Sequence, residues 1–97
     1  MDPAELLAAL LELAAEHDLP VRRVPPDASF EGLAPTASGA CVLRGRPLVL
    51  LCAADPPDRQ VEVLARALCA HAGDALEQRF LPPALRSCLA RALEPRA

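Results

Sequence analysis

The chain has 97 residues, enough for one domain of the commonest size class and for a modest core. Apolar residues make up 53% of it, which excludes a disordered polymer, but aromatics are only 2%, so the rings that usually hold sugars, bases or flat cofactors are scarce. A net charge of -3 argues against a general phosphate-backbone binder, which needs a basic surface to displace counterions.

Asp2-Pro3-Ala4-Glu5 predicts a helix start, with Asp2 capping free amides, Pro3 at the first helical position and Glu5 at capping-box spacing. Leu6, Leu7, Leu10, Leu11 and Ala14 form one broad apolar face, with Leu13 to one side and Glu5, Glu12 and Glu16 on the wet side. The helix should end near His17-Asp18, since Pro20 cannot continue it. The acids at its start and within it fit neither a signal peptide nor a membrane span. The expectation is therefore a soluble, cytoplasmic protein with reduced thiols.

Val21 to Val24 reads as a short strand, confined by Pro20 and Pro25 to an edge or a brief pairing. Residues 26–38 read as a loop, with Phe30 and Leu33 expected on the core. A β-hairpin follows. Ala40 to Leu43 leads to Arg44-Gly45-Arg46, where Gly45 supplies the positive φ of a tight turn, and Leu48 to Cys52 leads away. Pro47 can donate no ladder bond, so its nitrogen should face away from the partner strand. The run 48–52 is apolar at every position, which requires cover on both faces, by helices or by another subunit.

Asp55-Pro56-Pro57-Asp58 predicts a second helix, with Asp55 as cap and Pro56 at its first position. Val61, Leu64, Ala65, Leu68 and Ala72 share one arc, opposite Arg59, Glu62 and Arg66, and Gly73 is the expected stop. Asp74 to Glu77 repeats the capping-box spacing and can start a short helical turn. Pro82-Pro83 then opens a last helix, burying Leu85, Leu89 and Ala92 and ended by Pro95. The sum is a single α+β domain over 1–97, order α-β-β-β-α-α. Its small antiparallel sheet, the Gly45 hairpin plus one short strand, packs with two or three amphipathic helices.

The chemistry-bearing residues are sparse. Cys41, Cys52, Cys69 and Cys88 are 11, 17 and 19 residues apart, so there is no Cys-x-x-Cys knuckle, and each falls in or beside an apolar run. A Cys41–Cys52 disulfide is disfavoured, because a turn at Gly45 pairs Cys41 with residue 48 or 49. Cys69 and His71 lie two apart on a helix, about 200° around its axis, so they cannot act as nucleophile and base; His17 sits at a helix end. Arg22, Arg23, Arg44 and Arg46 gather into a basic patch only if the first strand joins the hairpin. Solvated arginines that discourage edge pairing explain them more simply. Every basic residue is Arg, which with the Ala, Leu and Pro excess matches the coding bias of a GC-rich bacterium.

Two resemblances follow from these motifs. Ala65-Arg66-Ala67-Leu68-Cys69-Ala70-His71, after a hairpin, is similar in layout to the Ala-His-Glu-Leu-Gly-His helix of ImmA/IrrE-type zinc peptidases. The zinc chemistry is absent, since Arg66, Ala67 and Ala70 stand where the first His, the Glu and the second His belong. Val21-Arg22-Arg23, Gly39 to Gly45, Val61 to Leu68 and Leu81-Pro82-Pro83-Ala84-Leu85-Arg86 together resemble short bacterial proteins of unknown function, which implies no activity.

Three functional classes remain. The first is a non-catalytic interaction domain, pairing with a second copy through the sheet or with an unknown protein. The second is a thiol- or metal-dependent activity using Cys69, His71 and Cys88. The third is an inactive peptidase-like fold that holds a peptide strand along an exposed sheet edge beside the Val61–Ala72 helix. The balance leans against an enzyme. No cofactor, nucleic acid or membrane is expected.

Overall fold

The computed structural model describes residues 1–25 and 38–93. The expected loop over 26–37, with Phe30 and Leu33, and the stop at Pro95 lie outside them. Helix α1 spans Pro3–Glu16, and Asp2 caps it by accepting the Glu5 amide at 2.8 Å. Its buried stripe is Leu7, Leu10, Leu13 and Ala14, while Leu6 and Leu11 are only half-buried. Leu13 therefore belongs to the face, not beside it. The helix closes before Pro20 is needed: Asp18 takes φ 56°, and the Leu19 and Asp18 amides return to the Ala14 and Ala15 carbonyls. This is a Schellman closure with Asp in the left-handed position usually held by glycine.

Three strands follow, β1 (Val21–Val24), β2 (Gly39–Leu43) and β3 (Arg46–Cys52), in spatial order β1-β3-β2. β2 and β3 form the expected antiparallel hairpin. Arg44 and Gly45 both have positive φ, 53° and 79°, which marks a two-residue type I′ turn. β1 lies parallel to β3, Val21 opposite Val49, so the sheet is mixed instead of wholly antiparallel. The reason is one of position. β1 occupies the edge opposite β2, which leaves β3 in the centre.

Most of the apolar run is buried within the chain on both faces of this central strand. Val49 and Leu51, both fully buried, join the helix-side core. Leu48 and Cys52 alternate to the other face and are buried there with Val24, while Leu50 is half-buried. A twin subunit is therefore not needed to cover the run.

Helix α2 spans Pro57–Glu77 and α3 spans Pro83–Ala92. α2 packs on α1, α3, β2 and β3, and its Leu64 and Leu68 are fully buried. Two sequence expectations shift here. Pro56, not Asp55, occupies the N-cap, without a side-chain bond, because the Asp55 carboxylate is engaged by Ser38. Ala72 stays only half-buried. The expected break falls one residue before Gly73, at Ala72 (φ -145°, ψ 32°), and the expected short turn follows through Asp74–Glu77, anchored by the buried Leu76. α3 buries Leu85, Leu89 and Ala92 as expected, and Cys88 with them. No helix among the described residues is long and apolar enough to cross a membrane.

Candidate functional site

In a two-residue hairpin the pair flanking the turn exchanges both its N–H and C=O bonds, and such pairs then alternate along the ladder. From Leu43 opposite Arg46, the bonded pairs are Leu43–Arg46, Cys41–Leu48 and Gly39–Leu50. Pro47 faces Val42 in a non-bonded pair, so its missing amide costs the hairpin nothing. The same alternation turns the backbone groups of Ala40 and Val42 outward. Among the described residues no strand pairs with that outer edge. Ala40, Cys41 and Val42 are all exposed, Val42 by 72%.

The edge runs beside α2. A groove of about 320 Å³ separates them, floored by Val49 and walled by Val42 on one side and Ala67, Ala70 and His71 on the other. The lining is apolar and the α2 wall is built mostly of alanine, so the channel is open to a neighbouring strand's side chains. His71 also reaches across to α1, its Nε2 lying 2.9 Å from the His17 carbonyl.

A polar clamp sets the β2 entry. The Ser38 amide donates to Asp55 Oδ2 at 2.7 Å, and the buried Cys52 amide donates to Ser38 Oγ at 2.8 Å. Gln60 Nε2 donates to the Asp55 carbonyl at 2.9 Å, tying in the first turn of α2. The Ser38 side-chain and backbone bonds hold the Asp55 carboxyl below the ordinary carboxylate value, helped by Arg59 and opposed by burial. A lowered folded-state value means that the clamp contributes stability above the ordinary aspartate value, ~3.9, and loses it as pH falls through the folded value. Urea midpoints measured from neutral into acid pH should thus fall less steeply in Asp55→Asn than in the parent chain. Parallel curves would show that Asp55 titrates unlinked to folding.

Of the residues named for thiol or metal chemistry, Cys69 and Cys88 come together and His71 stands apart. Cys69 is half-buried, its Sγ 3.5 Å from the Leu89 carbonyl, and Cys88 is buried on α3 near enough for its charge to act on Cys69. Burial raises both thiols above the ordinary cysteine value; Cys88 and Glu77 add to this at Cys69, and Arg91 opposes it at Cys88. Such thiols are protonated and weakly nucleophilic at neutral pH. His71 lies on the groove side, away from the Cys88 cleft. Among the described residues no group of three or more His, Cys, Asp or Glu converges to hold a metal ion. Cys41 stands opposite Leu48, not Cys52, and all four cysteines are free thiols.

The four arginines do not gather either. Arg22 and Arg23 lie opposite Leu50 and Leu51, whereas Arg44 and Arg46 sit at the hairpin tip. Arg22 and Arg46 are thus four strand positions apart, about 13 Å. A larger cleft of about 510 Å³ lies between α1, α2 and α3, with Leu6, Val61 and Ala92 in its lining. Two acids, Asp58 and Glu62, and two arginines, Arg66 and Arg91, share it without net charge, and Glu62 pairs with Arg59 at 3.4 Å.

The sequence pointed to the hairpin and to an exposed edge beside the Val61–Ala72 helix, but not to which strand carries that edge, because the strand order was open. The Pro47 position was the usable signal. Once its nitrogen is placed away from β2, alternation fixes which β2 amides point outward. No protein-family model, curated protein or solved structure matches this chain.

Proposed function

We propose that this domain is a non-catalytic interaction module that works by strand addition. An extended protein segment pairs with the outer edge of β2 and sets alternate side chains into the groove against α2. The observation that carries this reading is the exposed edge itself, with Ala40 and Val42 turned outward beside an alanine-walled channel. Main-chain bonds along such an edge supply affinity, and the groove supplies selectivity. A test is to record amide spectra of the full chain over a dilution series and against peptides selected from a random extended library. Shifts should concentrate at 39–43 and 67–71. Amides at Ala40 and Val42 that respond to neither concentration nor any selected peptide would sink the proposal.

A second reading is supported by one further arrangement. Arg66, Ala67 and Ala70, at the positions that the resemblance to ImmA/IrrE-type peptidases matches to a zinc-binding His, the Glu base and a second zinc-binding His, lie along a hollow beside Ser38, Gly39 and Ala40. A peptidase-like groove that kept its peptide-holding edge and lost its catalytic residues would have this layout. It predicts the same contacts on β2, with a peptide of another protein as occupant.

A further inference from the structure

An edge strand can pair with any extended chain, so what β2 itself presents selects its occupant. Its outward groups are those of Ala40 and Val42, one residue apart around Cys41. A two-fold axis through Cys41 sets Ala40 opposite Val42 of a second copy, and Val42 opposite Ala40, each pair exchanging two N–H···O bonds. Residue size matches in this register. The exposed Val42 meets the small Ala40, and Leu43 lies over Gly39, which has no side chain. Charge matches as well. Arg44, at the tip, comes opposite Ser38 of the other copy, whose amide is held by the Asp55 carboxylate. The two Arg44 residues stand about 20 Å apart, beyond the screening length. Centring on Val42 instead would pair Arg44 with Ala40, away from that acid.

On the strand-addition reading, on which this inference rests, we infer that the occupant of the β2 edge is a second copy of this chain, paired antiparallel about Cys41 to give a continuous six-stranded sheet. The short β2 edge makes a small interface, so the dimer belongs to the weak class, with a Kd on the order of 10 µM. The two Cys41 residues form a non-bonded pair with Cα atoms about 4.5 Å apart, within the ~4.4–6.8 Å span of a disulfide.

Sedimentation equilibrium of the full chain, under reducing conditions and over two decades around that concentration, should show a monomer–dimer equilibrium. Val42→Pro deletes one outward amide and spares the β3 ladder, and it should abolish the dimer while the circular dichroism spectrum stays native. Val42→Lys, at a position already exposed, covers the case in which proline prevents folding. It places two cations across the seam about 7 Å apart and should weaken association at least tenfold. Under diamide, the two Cys41 thiols lose two electrons and two protons to the reagent, which becomes the hydrazine. A covalent dimer should form in the parent chain and be lost in Cys41→Ser.

A strict monomer throughout overturns self-pairing, and strand addition then stands or falls on the selected peptides. A dimer of unchanged Kd in the folded Val42 variants places the contact elsewhere and likewise overturns self-pairing at this edge, leaving strand addition to the selected peptides. A Val42-dependent dimer that diamide does not link through Cys41 overturns the register.

Discussion

Leu64→Ala is expected to lower the free energy of unfolding by about 2–5 kcal/mol. Leu64 is fully buried on α2, the helix that packs on α1, α3, β2 and β3. Truncation removes contacts inside a core whose other large members, Leu10, Leu51, Leu68 and Val49, are also closed to solvent. Helices and strands held on several sides relax little into the void, which places the loss in the upper part of that range. A domain of this size has only about 5–15 kcal/mol in total, so its Tm should drop by more than about 10 °C. In urea the midpoint should fall with the slope unchanged. Leu93→Ala, at a residue 64% exposed, is the control and should move stability by no more than about 0.5 kcal/mol. Equal effects at the two sites would mean that α2 is not the centre of the core.

Gly45→Val should cost about 2 kcal/mol, for a reason unrelated to packing. An ideal Cβ at Gly45 meets nothing within 4 Å, so no clash contributes. The penalty comes from the backbone alone: φ is +79°, and a β-branched residue is strained there. Arg44 already sits at φ 53°, so the turn has little freedom left to relieve the strain. Gly39→Ala separates this cause from loss of glycine as such. Its Cβ also meets open space, and Gly39 is not in the left-handed region, so the change should stay within about 0.5 kcal/mol. The measurement is the urea midpoint of each variant. If both substitutions behave alike, the turn is not the two-residue type I′ loop described above.

Local chemistry was legible wherever one residue type decides the outcome alone. Asp2 caps α1, Gly45 takes positive φ in the turn, and Leu85, Leu89 and Ala92 form the buried side of α3. The cap of α2 was misread because two partners compete for one side chain. Asp55 has good cap chemistry, yet its carboxylate binds the Ser38 amide from seventeen residues away, and a cap assignment cannot foresee a distant competitor. The break beside Gly73 and the restart through Asp74–Glu77 fall within one residue of expectation, with Leu76 buried in the restarted turn. α1 also ends where expected, although Asp18 and not Pro20 closes it, since the left-handed turn satisfies the last carbonyls one step sooner.

The hairpin, its two-residue turn and the need to bury Leu48–Cys52 follow from the sequence by itself, because each depends on neighbours close along the chain. Tertiary structure alone decided that β1 lies parallel to β3 at the far edge. Any short strand flanked by prolines can pair on either side of a hairpin, and only long-range packing chooses. That choice has two consequences. It pairs both edges of β3 within one chain, where Leu48, Val49, Leu51 and Cys52 are buried without a second subunit. It also leaves the outer edge of β2 unpaired among the described residues, so the surface proposed to carry function is set by a strand that never touches it.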